Sequence, residues 1–239
     1  MNNSWQRLLA TLLISALIGC SSAPKLAVRT DVKQSVKLIA LAEVPEPTSY
    51  AMNPGQAPGG AALYMFGALG GAILGGIEAN RQESATNRFT SAVSPLKPGL
   101  SVLMLERLET GLRDKGFSVV RVAAPPRTAD GKGYDFSAIT AEVDAILITT
   151  LQAGYAVESG SVAPSIVVGT ALHAKSSGQT LFADRYIYAT AKSGEMVLVQ
   201  SDTKYTLPSL DAVYQNVDTV VEGLRTGAGK LAESILADL

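Results

Sequence analysis

Two stretches of the chain are almost continuously apolar and do not alternate with polar residues as half-buried strands do. Val36 to Val44 reads VKLIALAEV and ends at Pro45, and Asp144 to Leu151 reads DAILITTL. Strands of this kind need cover on both faces, which is typical of sheets that carry helices. Pro45 cannot continue a central ladder, so the first strand ends there. These two stretches therefore predict the central strands of an α/β domain.

The segments around these strands have helical or hairpin patterns. From Leu100 to Lys115 apolar residues recur with a helical period, and Gly116 stands where a helix C-cap is expected. Phe117 to Val122 predicts a further strand, and Phe136 to Val143 a short helix for which Asp135 is a suitable N-cap.

The last third of the chain predicts a hairpin and a terminal helix. Ser165 to Lys175 and Thr180 to Ala191 are alternating runs around a Ser-Ser-Gly-Gln turn signal. Ser209 or Asp218 caps the C-terminal helical region, which Gly223, Gly227 and Gly229 are expected to weaken. The order predicts an α/β fold class, a mixed β-sheet with flanking helices.

The amino terminus has the pattern of a secretory signal. Arg7 is followed by an apolar run from Leu8 to Ile18, shorter than the roughly 20 residues that span a bilayer. The run ends in Leu17-Ile18-Gly19-Cys20, which resembles the lipobox of bacterial lipoproteins. That resemblance implies cleavage before Cys20, a diacylglyceryl thioether on its sulfur and an acylated amino group, palmitate included. The alternative is that Cys20 is an apolar residue of a signal peptide cut elsewhere.

The resemblance also implies a location. Ser21 follows the cysteine, where an aspartate would favour inner-membrane retention, so the expected location is the outer membrane, facing the periplasm. The expected organisation is a signal peptide at 1–19, a tether at 20–34 and a periplasmic domain at 35–239, interrupted at 53–92 by a Gly-rich apolar helical insertion. Inner-membrane retention stays open.

The insertion contains the most unusual stretch of the sequence. Ala61 to Ile77 carries no charge, and Gly67, Gly71 and Gly75 are spaced by four. On a helix this spacing lines one face with hydrogen and permits close approach of another helix. Three interpretations remain open: a helix buried against its own domain, a helix that forms a homo-oligomer, or a membrane-inserted segment. A phosphate loop is rejected because the glycines lack the GxGxxG spacing.

Composition excludes several function classes. Lys and Arg number 20 against 21 Asp and Glu, which excludes a polybasic nucleic-acid binder. One Cys and one His exclude a zinc site with several Cys and His ligands, so no metal and no cofactor is expected beyond the lipid on Cys20.

Catalytic residues are hard to assemble from this sequence. His173 is predicted to be solvated or to face a sheet edge rather than to act as a general base. Asp144 and Asp184 are the acids that a periplasmic hydrolase would use, although acids on strands are usually salt-bridged or solvated. Glu109 and Arg113 predict an exposed i,i+4 pair. Four tyrosines predict either a protein-contact surface or filling at the core edges: Tyr155, Tyr186, Tyr188 and Tyr205.

A wider resemblance covers residues 35–239. The strand VKLIALAEV, the helix end and strand KGFSVVRV, the strand VDAILITTL and the hairpin ALHAKSSGQTLFADRY occur in one order. This order resembles the TolB-N-terminal-like α/β domains of curli-secretion, flagellar and penicillin-binding-protein activator lipoproteins. The Ala61 to Ile77 segment is similar to glycine-zipper segments of outer-membrane lipoproteins.

The function expected from these patterns is non-enzymatic. It is that of a lipid-anchored protein acting through protein–protein contacts in envelope assembly, secretion support or activation of a partner. The alternative is an oligomeric channel or secretion component that uses the Gly-rich segment at the membrane. A periplasmic hydrolase is the third class.

Overall fold

The computed structural model describes residues 35–53, 76–129, 131, 133–158 and 160–239, with only the backbone for residues 76–81. The strands are β1 (Leu38–Ala42), β2 (Ala51–Asn53), β3 (Ser118–Val122), β4 (Ala145–Glu158), β5 (Ser161–Ala174), β6 (Thr180–Ala189) and β7 (Val197–Gln200). The helices are α1 (Gly76–Val93), α2 (Leu100–Asp114), α3 (Leu210–Gln215) and α4 (Val217–Asp238), with 3-10 turns at Ser94–Leu96, Phe136–Ala138 and Thr203–Tyr205.

All the described strands belong to one mixed sheet. Its order is β3-β1-β4-β5-β6-β7, and β2 also pairs with β4. The β4–β5 and β5–β6 pairs are antiparallel, whereas β1, β2, β3 and β7 pair in parallel with their neighbours. The α/β fold class with a mixed sheet and flanking helices is confirmed.

The two faces of the sheet are covered differently. On one face, called the helix face here, α1, α2, α3 and α4 contribute to a single large hydrophobic core. On the opposite face, called the loop face, the connection after β3 covers Ala40, Ala42, Ile146 and Ile148. Separately, Met196 packs there with Val167, Ile187 and Ala189. The apolar runs of β1 and β4 are thus explained, because both strands have cover on both faces.

Three predictions from the pattern need correction. Phe136 to Val143 forms only a 3-10 turn at Phe136–Ala138, with the Asp135 side chain accepting from the Ser137 amide. The strand predicted at Asp144 to Leu151 does not stop at Leu151 but runs to Glu158, which makes β4 and β5 a hairpin of two 14-residue strands. Ser209 caps α3, and α4 begins at Val217 without a side-chain cap.

Glu46 fixes the start of α2 from the β1–β2 connection. Its Oε1 accepts from the Leu100 amide at 3.0 Å, and its Oε2 accepts from the Ser101 amide at 2.8 Å. Tyr50 Oη donates to the same carboxylate at 3.1 Å. Burial alone would raise the pKa of Glu46, but these hydrogen bonds outweigh it and lower the pKa. The side chain thus supplies both the cap and the negative charge that a helix N-terminus favours.

We expect the Glu46→Gln variant to lose on the order of 1–2 kcal/mol of unfolding free energy at neutral pH, because the charged cap is lost. Since the folded-state pKa lies below the ordinary 4.5, the contribution is present above that value and is lost as the pH falls through the folded-state pKa. Urea unfolding of both proteins between pH 3 and 7 measures this difference. Glu106→Gln, at an exposed position of α2, is the control and is expected to change stability by less than about 0.5 kcal/mol. A difference that stays constant over this pH range would contradict the role given to the charge.

Candidate functional site

The residues predicted for lipidation and for oligomer or membrane contact lie outside the described part of the chain. Cys20 and the glycines Gly67, Gly71 and Gly75 are all in this group. The structure does show where the chain that carries them joins the domain, at the start of β1 and between β2 and α1. These two junctions are therefore the part of the described structure that bears on the predicted lipid anchor and on the Gly-rich segment.

The amino-terminal junction is held by Asp144. Its Oδ2 accepts from the amides of Lys37 and Leu38, both at 2.8 Å. Hydrogen bonds from Leu38 and Lys37 lower the pKa of Asp144. The carboxylate therefore stays charged and anchors the chain that enters β1. The hypothesis that Asp144 is an acid of a hydrolase gains no support from this geometry.

The second junction joins β2 to α1. Two threonines one helical turn apart on α1 bind the outer edge of β2: Thr86 Oγ1 accepts from the Met52 amide at 3.2 Å and Thr90 Oγ1 from the Tyr50 amide at 2.9 Å. Thr90 also donates to the Tyr50 carbonyl oxygen at 3.2 Å. Helix side chains thus satisfy backbone groups that a further strand would otherwise pair.

Apolar packing holds the same junction from the helix face. Phe89 of α1 is fully buried, and its ring centroid lies 5.8 Å from that of Tyr155 on β4. The Arg88 guanidinium lies over the ring of Tyr214 at 4.0 Å from its centroid. The described end of the predicted 53–92 insertion is therefore packed into the main core.

The two junctions lie at opposite ends of β4. Lys37 and Leu38 contact Asp144, just before the strand, whereas Asn53 pairs with Ala156 close to its end. Twelve residues of extended chain separate Asp144 from Ala156, which corresponds to about 40 Å. The chain from Cys20 and the chain toward the Gly-rich segment thus join the domain about 40 Å apart.

His173 does not lie at a sheet edge, which corrects that part of the prediction, and it is partly exposed to solvent. It lies on β5 within the sheet, half-buried, with its ring centroid 5.1 Å from that of Phe136. Thr180 Oγ1 lies 3.3 Å from its Nδ1. Burial lowers the pKa of His173, and a hydrogen bond with the Gly178 backbone partly offsets this. Packing against Phe136 accounts for its position.

Asp184 lies under the helices rather than in solvent. It is 9% exposed and accepts from the Arg185 amide through Oδ1 at 2.8 Å. It pairs across the sheet with Thr170, whose hydroxyl lies 3.4 Å from that of Thr149. The structure places Asp144, Asp184 and His173 at different positions: at the start of β4, on the helix face and on the loop face.

The four tyrosines do not form a contact surface. Tyr155, Tyr186, Tyr188 and Tyr205 are each at most 2% exposed, so their other predicted role, within the core, is the correct one. Their hydroxyl groups have polar partners: Tyr186 donates to Asp238 at 2.7 Å and Tyr205 to Glu222 at 2.8 Å.

The pattern of the sequence did not indicate the contacts around Asp202. The Asp202 amide donates to Tyr188 Oη at 2.9 Å, and Lys230 Nζ of α4 donates to Asp202 Oδ1 at 2.8 Å. The predicted pair of Glu109 and Arg113 forms, at 2.6 Å, but Glu109 is also bound by Arg121 of β3. Both networks join a helix to the sheet.

Two negative findings concern the described residues only. No helix among them combines the length and the apolar character needed to cross a membrane. In the same part of the chain no group of three or more His, Cys, Asp or Glu side chains is placed to hold a metal ion.

Comparison with known proteins yields weak structural likeness. The sequence matches no protein-family profile and no curated protein. The fold is similar to the crystal structure of a neuraminyllactose-binding hemagglutinin homolog from Helicobacter pylori, with 13% identity, a TM-score of 0.37 and coverage of 92% of this chain and 91% of that one. It is also similar to protein XCC0632 from Xanthomonas campestris, of the DUF330 family, with 12% identity, a TM-score of 0.34 and 91% of each chain covered. Nothing about function is transferred at these scores.

Proposed function

We propose that this chain is a lipid-anchored protein of the bacterial outer membrane that faces the periplasm and acts through protein–protein contacts in envelope assembly, secretion support or activation of a partner. The observation that carries the proposal is Leu17-Ile18-Gly19-Cys20 at the end of a short apolar run. The Asp144 contact supports it, because it fixes where the polar chain after Cys20 joins a folded domain.

Two exposed apolar side chains of the described residues are candidates for a protein contact. Leu96 and Val102 are the two large apolar side chains that are strongly exposed in this part of the chain, at 45% and 56%. They flank the start of α2, and the Glu46 carboxylate fixes the backbone between them at Leu100. Because that backbone is held, a partner would meet Val102 at a defined position near the start of α2.

In-cell crosslinking with identification of the captured proteins tests this function. We expect an envelope protein to be recovered with the wild-type chain and to be recovered several-fold less with Val102→Lys, which places a charge at the contact. Glu106→Gln on the same helix is the matched control and should leave recovery unchanged. Recovery of no protein other than this chain would contradict the proposal. Hydrolysis of peptidoglycan or ester substrates that disappears in His173→Ala would favour the hydrolase instead.

A second candidate is an oligomeric channel or secretion component. The spacing of Gly67, Gly71 and Gly75 favours it, since small residues four apart permit close helix–helix contact in a membrane. This function predicts detergent-resistant rings on native gels, and a strictly monomeric acylated protein would contradict it.

A further inference from the structure

Strand β7 lies at one end of the sheet, where β6 is its neighbour. The Ser201 amide, directly after the strand, donates to the Ala189 carbonyl oxygen of β6 at 3.0 Å. Because the backbone groups of successive residues in a strand point to opposite sides, Leu198 and Gln200 turn theirs away from β6. No described strand pairs with that side of β7. The outer side thus presents two amides and two carbonyl groups in an extended row.

The edges at β2 and β3 are protected by side chains. Thr86 and Thr90 of α1 bind the backbone of β2. At β3, Arg113 donates to the Val119 carbonyl oxygen at 3.4 Å, and Arg121 places a charge on the strand itself. Charges and covering side chains are common means by which proteins prevent strand pairing at an edge. These two edges are therefore unsuited to pairing with another chain.

Strand β7 has no such protection from the described residues. It reads Val-Leu-Val-Gln, without a charge or a proline, and its three apolar side chains are each partly exposed. The Gln200 side-chain amide donates to the Thr190 carbonyl oxygen, back toward β6, and so does not cover the outer side. An exposed apolar edge strand without charges is the type that pairs with another chain.

The helix face leaves space beside this edge. The close approach of α4 to the sheet at Gly227 is made against Tyr188 of β6 and Ile166 of β5. Neighbouring strands lie about 4.8 Å apart, so a strand added to β7 would lie about 10 Å or more from that contact. The closest packing of α4 therefore does not obstruct an added strand.

A second copy of β7 matches the outer side in antiparallel register. With a two-fold axis at Val199, Leu198 of each copy lies opposite Gln200 of the other, and the two residues exchange both of their backbone hydrogen bonds. The four bonds formed in this way satisfy every outward amide and carbonyl group of both strands. Val199 then meets its counterpart in a pair without hydrogen bonds, where side chains lie closest and apolar pairs stabilise a sheet.

The charges at the ends of β7 fit the antiparallel arrangement. It brings Glu195 of one copy to the end of the strand that is followed in the other copy by Asp202. There Lys230 binds Asp202 at 2.8 Å, and Lys204 binds Glu222 at 3.4 Å, so the acids are already compensated. A parallel arrangement would instead bring Glu195 next to Glu195. The charges thus oppose the parallel pair and permit the antiparallel one.

We propose that β7 is a self-association strand, through which two copies of this chain pair about a two-fold axis at Val199 and join their sheets into one. The partner is a second copy because it carries the same outer side, and one pairing covers both. The proposal goes beyond the proposed function and rests neither on the lipid nor on the contact at Val102. Its failure would therefore leave the proposed function untouched.

Disulfide formation between single introduced cysteines, in the full chain in detergent, tests the pairing. Across the axis the two Val199 Cα atoms would lie about 4.5 Å apart, within the range that a disulfide spans. The two Leu198 Cα atoms would lie about 8 Å apart, beyond that range. Under a mild oxidant we expect Val199→Cys to give at least about tenfold more disulfide dimer than Leu198→Cys, the matched control on the same strand. The parent chain gives the background of Cys20.

Leu198→Pro in the Val199→Cys chain distinguishes strand pairing from other contacts between copies. The Leu198 amide points away from β6, and proline is tolerated at such positions of edge strands, so the pairing of β7 with β6 is kept. We expect the dimer yield to fall at least about tenfold while the urea unfolding midpoint stays unchanged. Gln200→Pro, whose amide also points outward, is the second variant if the first one lowers the midpoint.

Three results would overturn the pairing. The first is a Val199→Cys chain that gives no more dimer than Leu198→Cys. The second is a dimer whose yield is unchanged by a proline variant that keeps the unfolding midpoint. The third is a disulfide adduct with another protein in place of the dimer, which would assign the outer side of β7 to a different partner.

Discussion

Gly227→Leu is expected to unfold the domain or to cost it on the order of 3 kcal/mol or more of unfolding free energy. A Cβ at this position of α4 would lie 2.5 Å from Cδ1 of Tyr188 and 2.6 Å from Cδ1 of Ile166. Both neighbours are fully buried, so they cannot move aside without displacing the rest of the core. Urea unfolding followed by circular dichroism measures the loss.

Gly229→Ala is the matched control, two residues further along the same helix. No heavy atom outside the local chain lies within 4 Å of a Cβ there. The alanine should therefore add up to about 1 kcal/mol of stability through its higher helix propensity. Equal tolerance of both substitutions would show that α4 does not approach the sheet as closely as described.

Gly223, one helical turn before Gly227, also lies too close to its neighbours to accept a side chain. A Cβ on Gly223 would meet Tyr155 Oη at 2.5 Å and Tyr205 Cβ at 3.0 Å. The expectation that these glycines merely weaken the helix is therefore incomplete. Their absent side chains leave room for the buried tyrosines, and the intrinsic helix cost is offset by that packing.

The second large effect is expected at Cys20. In cells fed labelled palmitate, the wild-type chain should become labelled and Cys20→Ala should not, because the thioether that starts the modification cannot form. Each buried CH₂ of an acyl chain adds about 0.8 kcal/mol of membrane affinity, so several chains make attachment effectively permanent. Ser21→Ala, at the adjacent position, is the control and should take up label normally. Label that persists in Cys20→Ala would exclude the lipobox interpretation.

The parts of the fold with strong periodicity could be predicted from the sequence. The apolar runs gave β1 and the first half of β4, and the helical spacing around Leu108 gave α2 almost to the residue. The turn at Ser176 to Gln179 gave the β5–β6 hairpin. In each case one local pattern was sufficient, because the element buries a continuous apolar side.

Elements held by tertiary contacts could not be predicted in this way. β2 and β7 are three and four residues long, too short for a period to show. α1 is largely polar, and its threonines serve the β2 backbone instead of forming an apolar stripe. A weak signal existed in Ala85, Phe89 and Val93, which are spaced by four and pack on the core.

The positions of the acidic residues could not be predicted from a local pattern either. Glu46 and Asp144 accept backbone amides from residues far along the chain, and such partners have no local signature. The tyrosines were ambiguous because composition does not distinguish a buried aromatic from one at an interface. The junctions of the domain are therefore a result of the structure, whereas the lipid attachment remains a prediction of the sequence.

The mass of the mature protein isolated from its own membrane tests the central claim most directly. We expect a chain that begins at Cys20 and exceeds its sequence mass by a diacylglyceryl group and an amide-linked acyl chain. A chain that begins at another residue, or one that carries an unmodified Cys20 thiol, would contradict it.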